Sequence, residues 1–178
     1  MTRILYASAY GSTRAYAEEL ARRLDSTAER IDDVDPATLP GSEALIVLSY
    51  VHGPRLPAAR FLAEHNLGDR PLAAVAVSMA RPENARREDQ IRTLLGPFAA
   101  QVERFYLPGR MHYSELSDEH HAMMRTIVTM LQMKPGQTDN DREMVGSFNT
   151  DLDRVDFAAL DPVVAWARAQ EPAPEQDH

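Results

Sequence analysis

No cysteine occurs among the 178 residues. Disulfides, thiolate nucleophiles, iron–sulfur ligation and cysteine-type zinc sites are therefore excluded, and any redox role must belong to a bound organic cofactor. Basic residues are in deficit: 19 Lys and Arg face 27 Asp and Glu, for a formal net charge of −8 and a pI near 5.2. That balance argues against nucleic acid as a partner, because phosphate contacts need clustered cations. No apolar run reaches the ~18 residues of a transmembrane span. The first residues lack the basic stretch, apolar core and small-residue cleavage site of a secretory signal, so a cytoplasmic location is expected.

Several ligand motifs are missing too. There is no Gly-Lys-Ser/Thr as a P-loop requires, and Gly11 stands alone where a dinucleotide fingerprint needs three glycines. Asp139, Asp141 and Glu143 suggest calcium, but Met144 and Thr150 occupy the places where an EF-hand needs glycine and glutamate. His120 and His121 are neighbours on a helical segment and point in different directions, which makes a poor metal pair. No metal site is expected.

What is present suits one domain over 1–170, with 171–178 a proline- and acid-containing tail expected to be disordered. The stretch from Arg3 to Leu24 organises the rest. Ile4, Leu5 and Tyr6 form a short apolar strand, and Tyr16, Leu20 and Leu24 recur at helical spacing among charged residues. Between them lie Ser8, Ala9, Tyr10, Gly11, Ser12 and Thr13. Hydroxyls, a permissive glycine and the free N–H groups of a helix starting near Thr13 would hold a phosphate monoester without any lysine. The alternative is that Ser and Thr merely cap a first helix.

The pattern then repeats along the chain. Strands are expected at about Ala28–Ile31, Ala44–Leu48, Leu72–Val77 and Val102–Leu107. Helices are expected from Pro57, with Phe61, Leu62 and His65 on its inner side, and over Arg86–Leu95, closed by Gly96-Pro97. Such alternation predicts a doubly wound parallel sheet. Two loops open at strand carboxyl ends, where such sheets place ligands: Ser49–Pro57 and Ser78–Glu83. In the first, Tyr50 and His52 would flank a planar ring, with Val51 beside them and Gly53 leaving the backbone free to approach. The bland alternative packs Tyr50 over the sheet and leaves His52 in water.

Beyond Gly109 the character changes. Arg110–Tyr113 reads as a loop, and Ser117-Asp-Glu opens a helix whose Met123, Met124, Ile127, Val128, Met130 and Leu131 span a wide apolar arc. That face suits a quinone tail, a second copy of the chain or a bilayer edge, or else it is core. Lys134–Gly146 reads as a polar connection, and Asp161-Pro162 starts a last helix with Val163, Val164 and Trp166 turned inward.

Ser8-x-x-Gly11-x-Thr13 after a first strand resembles the FMN-phosphate loop of flavodoxins. Together with Ser49–Pro57, and with Met123-Met-x-x-Ile127 through Gly136-Gln-Thr-Asp139, it resembles the flavodoxin-like family typified by bacterial menaquinone-dependent protoporphyrinogen oxidases. The resemblance covers nearly the whole chain to the last helix. It implies a flavodoxin fold with strand order 2-1-3-4-5, an extra C-terminal helical segment, bound FMN, and two-electron oxidation of a reduced tetrapyrrole or related donor with a quinone as acceptor. Carried onto this chain, Ser8, Gly11, Ser12 and Thr13 would hold phosphate, while Tyr50, His52, Gly53, Met79 and Ala80, with Ser78 beside them, would border the isoalloxazine. One departure stands out. Glu115, Asp118 and Glu119, with only Arg110 and Arg125, replace the family's cluster of basic residues, which weakens the case for docking to anionic membrane or for a porphyrinogen substrate.

The expectation is an FMN-dependent oxidoreductase acting on a small reduced substrate, with Tyr50, His52, His112 and Tyr113 orienting substrate or moving protons. The other reading is a flavodoxin-type electron carrier with an acidic docking surface and no substrate pocket.

Overall fold

Ile46 and Leu48 point to one side of the central sheet and Leu45 and Val47 to the other, and all four are fully buried. Successive residues of a strand face opposite ways, so an unbroken apolar run means that both faces of the sheet are covered. The computed structural model, which describes residues 1–171, bears this out. Strands β1 (Arg3–Ala7), β2 (Ala28–Arg30), β3 (Leu45–Tyr50), β4 (Leu72–Ser78) and β5 (Val102–Pro108) form one parallel sheet in the order β2-β1-β3-β4-β5. This is the expected order, in a flavodoxin-like α/β fold. Residues 172–178 of the expected tail lie outside the described residues.

Helices α1 (Ser12–Arg23) and α7 (Asp161–Ala169) cover one face, burying Tyr16, Leu20, Val163 and Ala167 against Ile4, Ile46 and Leu48. Helices α2 (Pro57–Glu64), α3 (Pro82–Glu88) and α4 (Gln90–Leu95) cover the other, with Phe61, Leu62 and Ile91 against Leu45, Val47 and Ala74. Tyr16 also ties distant segments together: its Oη donates to the Pro108 carbonyl (2.6 Å) and accepts from the Asp156 amide (2.9 Å). His65, expected on the inner side of α2, is half-buried and stacks on Phe61.

Several expectations need correction. The helix read over Arg86–Leu95 is two helices, broken where Asp89 adopts a left-handed conformation with φ 42°. The Asp89 carboxylate accepts from Tyr106 Oη (2.6 Å) and Arg104 Nε (3.1 Å), so contacts with β5 fix the break, and Leu94 is turned to solvent. Lys134–Gly146 is not merely a polar connection, because it contains helix α6 (Asp139–Gly146), opened by a reciprocal Thr138–Asp141 capping box. Burial alone would raise the Asp141 carboxyl, but the Lys134 ammonium at 2.7 Å and the Thr138 hydrogen bonds outweigh it and hold the group below the usual carboxylate range.

The segment beyond β5 forms a cap. Arg110–Met111, read as loop, is strand β6, which pairs antiparallel with β7 (Leu152–Asp153). Between them run α5 (Asp118–Met133), capped by Ser117 Oγ, and α6. Only part of the wide apolar arc of α5 is core: Met124 and Val128 are buried, whereas Met130 is 67% exposed, and Met133, beyond the arc, is 80% exposed. Met111, Tyr113 and Met124 make a small third core, against which Tyr10, Met79, Ile127, Met144 and Phe148 pack. The cap therefore rests on the loops that follow β1 and β4.

Candidate functional site

Because the five strands are parallel, the loops after β1, β3 and β4 emerge at one edge, and the reversal of strand order falls between β1 and β3. In the first loop Gly11 has φ +83° and immediately precedes α1. Ser8 Oγ accepts from the amides of Gly11 (3.2 Å) and Arg14 (3.3 Å), which curls the loop and leaves the hydroxyl hydrogen free to donate. Ser12 and Thr13 are buried in the first turn of α1, whose leading N–H groups lack intrahelical acceptors. Ala9, between them and Ser8, is exposed.

In the second loop, β3 continues through Ser49 and Tyr50, so the strand is longer than expected. Ser49 Oγ accepts from the Ala58 amide (2.9 Å), pinning the loop to α2. Reciprocal backbone bonds between His52 and Arg55 (2.9 and 3.0 Å) close a tight turn at Gly53-Pro54. The His52 ring lies 4.5 Å from Tyr50 and 5.1 Å from Tyr10, centroid to centroid. Tyr10 in turn meets His120 of α5 edge-on at 5.9 Å. Burial, with His120 and Arg55 nearby, pushes the His52 pKa below its ordinary 6.5, so the imidazole is neutral near pH 7. Burial and Tyr50 push the Tyr10 phenol up. Tyr10 Oη and His52 Nε2 are buried without a hydrogen-bond partner among the described residues.

The loops after β3 and β4 and the cap border a cavity of about 240 Å³, whose lining includes no residue of Ser8–Thr13. Val51, His52, Gly53, Ser78, Met79 and Ala80 line its sheet side; Met111, Tyr113, Met124, Ile127 and Met144 line the cap side. Of the four residues expected to orient substrate, His52 and Tyr113 face this cavity. Tyr50 stands behind His52, and His112 turns toward Glu115 (3.3 Å). Tyr113 packs edge-on against Phe148 (5.4 Å), and burial, with Tyr10 nearby, raises its phenol pKa.

The charged part of the lining, around Arg154, is not legible in the sequence. Arg154 donates to the Met79 carbonyl (3.0 Å) and to Glu143 (2.6 Å), and Glu143 also meets Arg81 (3.2 Å). This chain of charges ties the loop after β4 to α6. The only hint was the Thr138-x-x-Asp141 spacing, which marks a helix start and so places Glu143 on a helix. Among the described residues no three His, Asp or Glu side chains are grouped to hold a metal ion, and no helix is long and apolar enough to cross a membrane.

The parallel sheet, the glycine turn opening α1 and the cavity by the loops after β3 and β4 define a doubly wound α/β domain with a cavity at its carboxyl edge. A family model described as "Flavodoxin domain" matches residues 3–141, and the chain belongs to that family. Flavodoxin-like domains typically bind FMN and serve flavin-linked electron transfer. One solved structure, of a flavodoxin from the domain Archaea, aligns with 66% of this chain and 86% of its own at 19% identity and a TM-score of 0.41. The family assignment rests on the matched sequence and not on that superposition. No curated protein matches the chain, so the finer resemblance to quinone-linked protoporphyrinogen oxidases rests on sequence motifs alone.

Proposed function

We propose that the chain binds FMN at this edge and is an oxidoreductase that takes electrons from a small reduced substrate and delivers them to an apolar acceptor of the quinone class. The residues fit the cofactor. An isoalloxazine carries ring nitrogens and carbonyl oxygens, which are the partners that the buried Tyr10 Oη and His52 Nε2 lack. Ser8, Ser12 and Thr13 offer hydroxyls, and the first turn of α1 offers N–H groups, to a phosphate. The loops carrying Val51–Gly53 and Ser78–Ala80 border the space for the ring. When bound, the flavin supplies both hydride and single-electron chemistry.

The observation that carries the enzyme reading is the apolar roof of Met111, Met124, Ile127 and Met144 on the cap side of the cavity. An electron carrier gains nothing from such a roof, whereas an apolar acceptor needs one to be desolvated. His52, neutral near pH 7, and Tyr113, held protonated by burial, are placed to exchange protons with a bound molecule. The carrier reading draws its support from the net charge of −8. The distinguishing test starts from a visible spectrum before and after adding FMN. It continues with oxidation of protoporphyrinogen or coproporphyrinogen in the presence of a menaquinone analogue, alongside reduction by a flavodoxin reductase. Quinone turnover that is lost in Ile127→Asp while FMN stays bound supports the enzyme. One-electron cycling without quinone turnover supports the carrier, and absence of flavin binding at micromolar FMN rejects both.

A further inference from the structure

We infer that Arg110, contributed by β6 of the cap, is a direct cationic ligand for the phosphate of the cofactor and makes the site discriminate phosphorylated from unphosphorylated flavin. This rests on the FMN reading above and adds to it a residue outside the first loop.

The loop itself is electrically neutral: Ser8 to Thr13 contains no charged side chain. A phosphate monoester carries about −1.5 to −2 charge near pH 7, which hydroxyls and helix amides meet with partial charges only, so a guanidinium within reach adds a full countercharge to a site that already holds the group. Two arginines lie close in sequence or in space. Arg14 is drawn back along α1 by Glu18 (2.7 Å) and is largely in solvent. Arg110 lies over the loop, where its Nη2 is only 3.1 Å from the position a Cβ would take on Gly11. The adjoining Gly109 also lies close to the loop. Its amide donates to the Ser78 carbonyl (2.7 Å), and a Cβ there would sit 3.5 Å from Ser12 Oγ. The turn joining β5 to β6 is thus pressed against the phosphate loop, and the guanidinium ends beside the glycine that shapes it.

Arg110 is not committed elsewhere. Its nearest acid is Asp153, its register partner on β7, at 3.8 Å. That is too long for a hydrogen bond, so the pair is an ionic contact with little directional hold. A planar guanidinium makes paired, charge-assisted hydrogen bonds to phosphate oxygens that a weakly held carboxylate at this distance does not match. The side chain is 31% exposed, so the reorientation needs no opening of the core. Since Arg110 belongs to the ribbon that carries the cap, the same contact joins phosphate binding to the base of the roof.

The test compares FMN with riboflavin, which lacks the phosphate, using flavin fluorescence titrations of the full chain and of Arg110→Ala, Arg110→Lys and Asp153→Asn. The wild type is expected to prefer FMN, with a preference that shrinks as salt rises. Arg110→Ala loses roughly tenfold to a hundredfold in FMN affinity, holds riboflavin within about twofold, and shows no salt dependence of the preference. Arg110→Lys keeps part of the preference, and Asp153→Asn raises it. Equal losses for both flavins in Arg110→Ala, or no loss for either, overturn the inference and leave the FMN reading standing. A wild type that binds both flavins equally does the same. A wild type that binds neither overturns the FMN reading and this inference with it. Melting curves of each variant separate a local effect from a folding defect.

Discussion

Tyr10 and His52 come from loops after different strands, yet their rings meet at 5.1 Å with Oη and Nε2 both buried and unpartnered among the described residues. Two loops are thereby held in register by aromatic contact, and two polar atoms are left for a ligand. Tyr10→Phe is expected to weaken flavin binding severalfold or more with little change in melting temperature, because it keeps the ring contact and breaks no internal hydrogen bond, whereas His52→Asn is expected to weaken binding as much and also to lower the melting temperature modestly, because it removes the ring packed on Tyr10 and Tyr50. Calorimetric titration with FMN checks this. A loss of stability as large as the loss of binding would mean that the pair is structural.

The same histidine gives a pH dependence with a defined sign. Its folded pKa lies below the ordinary 6.5 because burial disfavours the charged ring. The unfolded chain therefore binds the proton first, so this group's contribution is complete above about pH 6.5 and declines as pH falls through the folded value. Thermal melts from about pH 8 down to about pH 5 are expected to show falling stability, with a shallower fall in His52→Gln.

Gly11→Ala puts a side chain on a residue with φ +83° and a Cβ 3.1 Å from Arg110 Nη2. A left-handed backbone costs a non-glycine residue about 1–2 kcal/mol, and the Arg110 guanidinium must move. Chemical denaturation is expected to show a loss of that size, together with weakened FMN binding. Gly146→Ala has no atom within 4 Å of the new Cβ and is expected to be neutral or slightly stabilising.

Met124 and Met133 lie on one helix with opposite roles. Met124 is 3% exposed and Met133 80%. Met124→Ala is expected to cost about 2–5 kcal/mol, seen as faster amide exchange in α5 and α6 with the sheet still protected. Met133→Ala is expected to stay within about 0.5 kcal/mol of wild type.

Tyr16→Phe removes one hydroxyl that serves two backbone groups, the Pro108 carbonyl and the Asp156 amide. Burial also pushes this phenol up to about 12. The expected loss is about 1–3 kcal/mol, the cost of leaving buried groups unpaired, measured by denaturant unfolding. An unchanged midpoint would show that water replaces the hydroxyl.

What the sequence made legible follows from how locally each feature is determined. The strand, glycine turn and helix from Arg3 to Leu24 are adjacent in the chain, and β3 and β4 show themselves by apolar runs that only a two-sided core explains. The break at Asp89 was hidden because its causes, Arg104 and Tyr106, lie on another strand. The ribbon of β6 and β7 was hidden because two-residue strands 42 positions apart carry no periodic signal. Arg154 reached the site only through a fold that brings it to Met79, 75 residues earlier. Helix α6 looked like loop because its exposed residues are polar, and only its capping box betrayed it.

Arg110 pairs with Asp153 and Met111 with Leu152, and the Arg154 amide donates to the Gly109 carbonyl (3.1 Å), so the chain leaves the end of β5 and comes back beside it at nearly the same point. An excursion anchored in this way behaves as a graft: changes of length or composition between its two roots are not passed on to the order or spacing of the five strands. The part of the molecule most at liberty to diverge is thus the part that overhangs the cavity. The lining of the cavity can be rewritten there while the sheet and the glycine turn stay as they are.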